Sequence, residues 1–106
     1  MNGSALDQLC AALPDVEALA QKVSRVHGPA DPRLREVERT LGAAAAALRN
    51  LAQGRPSLPK QDIAAGLAQL RGLTDGFRPP AQACRSYRAL LSGLEELEAA
   101  ALPLLG

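Results

Sequence analysis

Tryptophan is absent from this chain, and phenylalanine, tyrosine and histidine occur once each in 106 residues. An aromatic share of 2% leaves no stacking platform for unpaired bases, which takes several aromatic faces. Charge of one sign is missing as well. Twelve Lys and Arg against 11 Asp and Glu give a net charge of +1, with no field to gather nucleic acid or an anionic membrane. No apolar run approaches the ~20 residues that span a bilayer. The opening stretch MNGSALDQL lacks the basic start and apolar run of a secretory leader. The two cysteines, Cys10 and Cys84, stand far apart with neither CxxC nor zinc-ligand spacing. They read as reduced thiols in a cytoplasmic protein.

What the chain does have is apolar residues, at 47%, enough for one domain over residues 1–106 to bury a modest core. They recur at helical spacing in four segments. The first helix starts after Ser4, with Asp7 as a capping acid, and carries Leu6, Leu9, Leu13, Val16, Ala20, Val23 and His27 on one face. Pro14 costs it a backbone hydrogen bond and predicts a kink. Gly28 and Pro29 end it. Asp31 caps the second helix, Pro32 takes its first position and Gly54 its left-handed end. Its stripe is Leu34, Val37, Leu41, Ala44, Leu48 and Leu51, and the run Ala43 to Ala47 gives either close helix approach or plain helix propensity.

The linker GRPSLPK precedes a third helix, from about Pro59 to Thr74, with Ile63, Leu67 and Leu70 inward and Lys60 opening the same stripe. Gly76 ends it. The fourth helix is predicted from near Pro80, with Cys84, Tyr87, Leu91, Leu94, Leu97, Ala101 and Leu104 on one face. Gly93 and Pro103 weaken it locally. Four amphipathic segments on short connections predict an all-α, antiparallel up-down-up-down four-helix bundle.

No catalytic constellation is present: no phosphate loop, no HExxH, no Glu-x-x-His and no nucleophile motif. One histidine cannot furnish a typical catalytic zinc site. The sequence therefore predicts no enzyme. Glu95, Glu96 and Glu98 are predicted to fan out to solvent, as are Glu36 and Glu38 among Arg33, Arg35 and Arg39. His27 continues the inward stripe. It reads as a core residue donating to a backbone carbonyl, as a cation favoured at a helix C-terminus, or as a metal ligand.

LPDVEALAQKVSRVHG, followed later by LRGLTDGFRPPAQACRSYRALLSGLEELE, resembles the hemerythrin-like proteins of the Ric type, the HHE cation-binding family. These are di-iron proteins associated with repair of iron–sulfur clusters after nitric oxide or oxidative damage. Leu13, Pro14, Lys22, Val26 and His27 carry the first part of the likeness. Leu73, Thr74, Gly76, Pro79, Pro80, Ala83, Cys84, Tyr87, Arg88, Ala89, Leu90, Gly93, Leu94, Glu96 and Leu97 carry the second, more specific part.

The resemblance implies two irons inside the bundle, held by histidines and two carboxylates. It places those ligands at Leu6, His27, Leu51, Arg55, Lys60 (or Gln61) and Leu104, with a last glutamate beyond Gly106. Only His27 keeps a ligating side chain. A polar cage without metal would cost roughly 1–3 kcal/mol for each unsatisfied group, whereas burying a leucine contributes about 1.5–3 kcal/mol.

The expectation is a metal-free bundle without cofactor. It would act as a protein-interaction or regulatory module toward a protein partner or a second copy, linked to nitric oxide, oxidative stress and cluster repair. One alternative is residual metal or haem binding through His27, helped by Cys10, Cys84 or acids across a dimer. Another is retained di-iron repair activity. Nitric oxide sensing at Cys84 is a third, opposed by the inward, inert position predicted for that thiol.

Overall fold

The computed structural model describes residues 4–106. The opening of the stretch read for a leader lies outside them. Four helices follow one another: α1 (Ala5–His27), α2 (Arg33–Ala52), α3 (Lys60–Leu73) and α4 (Arg85–Leu105), with no strand among the described residues.

Each boundary has a local cause. Ser4 Oγ accepts the amide of Asp7 at 3.1 Å and starts α1. The helix runs unbroken through Pro14. It stops at Gly28, whose amide donates to the Ser24 carbonyl at 2.8 Å. A Cβ on Gly28 would lie 2.2 Å from that same oxygen, so only glycine allows this approach. Asp31 Oδ1 accepts the amide of Arg33 at 3.2 Å, and Pro32 is already in helical conformation as α2 begins. At the other end of α2, Gly54 is left-handed (φ 68°) and the Arg55 amide reaches back to the Asn50 carbonyl at 2.8 Å.

The turn after α3 holds three consecutive left-handed residues: Asp75 (φ 53°), Gly76 (φ 73°) and Phe77 (φ 64°). A buried phenylalanine in that region is strained. Thr74 holds it, its hydroxyl donating to the Leu70 carbonyl at 2.8 Å and accepting the Phe77 amide at 3.1 Å. The fourth helix starts at Arg85, five residues after the predicted Pro80. Pro79 and Pro80 hold the residues before them extended, and Cys84 supplies the cap. Pro103 sits in the last turn without ending the helix.

The predicted stripes form the core. Leu13, Leu41, Leu48, Ile63, Leu67 and Leu90 are among its fully buried side chains, and Ala45 and Ala47 of the alanine run join them. In α4, Leu105 is buried and the predicted Leu104 only half-buried. α1 packs on α2 and α4, and α3 on the same two, and among the described residues neither diagonal pair of helices approaches as closely. That closed ring of neighbours is the packing of a helical bundle. The described chain measures 42 × 24 × 20 Å. No described helix is long and apolar enough to cross a membrane.

Candidate functional site

The positions the resemblance assigns to iron lie at or near helix ends. Leu6 opens α1, Leu51 ends α2, Lys60 opens α3 and Leu104 ends α4. Leu6, Leu51 and Leu104 are half-buried and packed against the core, while Arg55, Lys60 and Gln61 are exposed. His27 is elsewhere. It closes α1, an unbroken helix, and so lies about 31 Å along the axis from Leu6 at 1.5 Å per residue. Cys84, which His27 touches, begins the helix that Leu104 ends, about 30 Å away by the same measure. One metal centre cannot take His27 together with Leu6 or Leu104. The remaining set offers three apolar side chains and two cations, which do not fit a pair of irons. Among the described residues, no three His, Cys, Asp or Glu side chains are placed to hold a metal ion.

At the His27 end a different arrangement appears. The His27 ring is half-buried against Tyr87, centroids 5.8 Å apart and tilted by 47°. Its Nε2 lies 3.4 Å from Cys84 Sγ. Cys84 is exposed, contrary to the inward position the stripe predicts, because the later helix start turns it from a packed residue into a cap. Its sulfur accepts the Tyr87 amide at 3.5 Å. That backbone hydrogen bond first, and the bond to His27 second, pull the thiol below its ordinary range. With Lys22, Val23, Val26 and Ser86, the pair lines a pocket of about 230 Å³.

Cys10 is the internal contrast. It is half-buried in α1, its Sγ donates to the Leu48 carbonyl at 3.6 Å, and burial pushes its thiol up. One cysteine is held as a donor and the other as an acceptor. Both are free. The sequence hides this difference, because both sit on apolar spacing. The proline pair before Cys84 was the available sign that the fourth helix starts late.

Among the three clustered glutamates, Glu95 and Glu96 face solvent as predicted, but Glu98 is buried at 6% exposure. Arg71 reaches it from α3, its Nε donating to Oε1 at 2.9 Å, and the guanidinium also lies 5.0 Å over the Phe77 ring. A second inter-helix ion pair joins Arg49 to Glu17. These are fastenings of α3 to α4 and of α2 to α1. No protein-family model matches this chain, and comparison with curated proteins and with solved structures gives no match.

Proposed function

We propose that this chain is a metal-free hemerythrin-like bundle, with helices running up, down, up and down. It works as a protein-interaction or regulatory module rather than as an enzyme. The observation that carries this reading is the packing of Leu6, Leu51 and Leu104 on the core, at positions where the resemblance assigns histidines. Apolar side chains there stabilise the bundle without metal, since each half-buried leucine stands where a ligating group would need a partner.

Three contacts support the alternating direction: Cys10 with Leu48, Val16 beside Gly93, and His27 with Cys84. Each joins an early residue of one helix to a late residue of its neighbour, or mid-helix to mid-helix. The resemblance suggests the setting, nitric oxide or oxidative stress near iron–sulfur cluster repair, and the two free thiols suit a reducing cytoplasm.

The partner is a protein, either a second copy or another chain. Among the described residues, Val26, Leu58 and Leu102 are the large apolar side chains left exposed, and Ala43 and Ala46 lie exposed on α2. A photoreactive group placed at Val26, Leu58 or Leu102 tests this in cells that make the protein. The expected product is one discrete adduct, to a second copy or another polypeptide, competed away by excess unmodified protein. Diffuse adducts that excess protein does not compete would overturn the interaction reading.

A further inference from the structure

The Cys84–His27 pair has the parts of a thiol-exchange site. The nucleophile is exposed on the surface, so an incoming sulfur has access. It caps α4, a helix of 21 residues whose first turn holds no acid, so nothing there opposes a negative sulfur. A base from a different helix, His27, stands 3.4 Å away with its ring set against Tyr87. The two side chains share a mostly apolar pocket, with Lys22 on its wall, large enough to receive part of a small molecule. Nucleophile, base, anion-stabilising amide and pocket thus come together from two helices.

We propose that this pair is a modification site at which Cys84 exchanges with a low-molecular-weight disulfide and is held as a mixed disulfide. The Cys84 thiol gives its proton to His27 Nε2, and the thiolate attacks one sulfur of the incoming disulfide R–S–S–R. A bond forms between Cys84 Sγ and that sulfur as the original S–S bond breaks. The departing thiolate takes the proton from His27 and leaves as R–SH. Cys84 is oxidised, half of the small disulfide is reduced, and no further reagent is consumed. The bulk added at the pocket covers Val26, which is 63% exposed, so the modification changes the surface at this end of the bundle.

Cys10 does not take part. It is half-buried and donates to a carbonyl, and a thiol held up by burial is a poor nucleophile.

Glutathione disulfide is the probe, with the native protein followed by intact and peptide mass spectrometry at neutral pH. One glutathionyl group is expected per chain, on Cys84 and not on Cys10. A lowered thiol gains more in thiolate fraction than it gives back in nucleophilicity. The native rate is therefore expected to exceed that of the urea-unfolded chain by about threefold or more. Cys84→Ser removes the adduct and Cys10→Ser leaves it. His27→Gln slows the reaction by about threefold with the helical signal unchanged. A native rate at or below the unfolded rate overturns the proposal, and so does a first adduct on Cys10. The native-to-unfolded comparison needs no variant, so a His27→Gln chain that fails to fold leaves it decisive.

Discussion

Glu98 stands four positions after Leu94 and one after Leu97, on the edge of the stripe that faces the core. The helical period alone brings it inward, while its neighbours Glu95 and Glu96 stay in water. The chain tolerates a buried carboxylate there because Arg71 crosses from α3 to meet it. The two members of the pair are unequal, since the Arg71 side chain is 53% exposed and that of Glu98 7%. Removing the arginine strands a charge in the core, whereas removing the glutamate frees a cation already in contact with water. Arg71→Leu is therefore expected to destabilise the fold more than Glu98→Leu, with Glu98→Leu within about 1 kcal/mol of the parent in urea unfolding. The reverse order would mean that the pair does not govern this site. Glu98 was legible in the sequence as a stripe position. Its charge disguised it, because a run of glutamates reads as solvated when no partner arginine is visible nearby in the sequence.

At the scale of the helices, spacing and punctuation carry most of the information. The start of α1 at Ser4, its end at Gly28 and the left-handed glycines at 54 and 76 all lie where side-chain chemistry places them. The start of α4 does not, because proline at a first helical position and proline in a turn look alike until the following residues choose. That difference of five residues moves Cys84 from the core face to the cap. It is the reason the thiol pair was not legible while its two members were.

Glycines inside helices give a separate test of the element boundaries. Gly42 and Gly66 lie within α2 and α3, and a Cβ on either meets nothing within 4 Å. Gly42→Ala and Gly66→Ala are each expected to raise stability by about 0.5–1 kcal/mol, by helix propensity alone. Chemical denaturation checks this. A loss of stability at either position would place it outside a regular helix.

For the molecule as a whole, the apolar pattern specified four helices and one core. The resemblance added a hypothesis about one end of that core. It could not show that His27 lies about 31 Å from Leu6, because a helix of 23 residues separates by length what a motif joins by name. Once the ends are told apart, each has its own character. Leu6, Leu51 and Leu104 pack on the core, and the C-terminal end of α1 carries a histidine beside an exposed thiol and a pocket. The proposed regulatory role draws on both, with a bundle that stands without metal and a surface that a thiol modification can alter.

The central claim is that leucine packing has replaced the iron centre. Its most direct test is iron content with the visible spectrum, measured on protein produced in iron-rich medium. The account predicts no stoichiometric iron and no oxo-bridged charge-transfer band. About two irons per chain with such a band would contradict it, and would return cluster repair as the leading function.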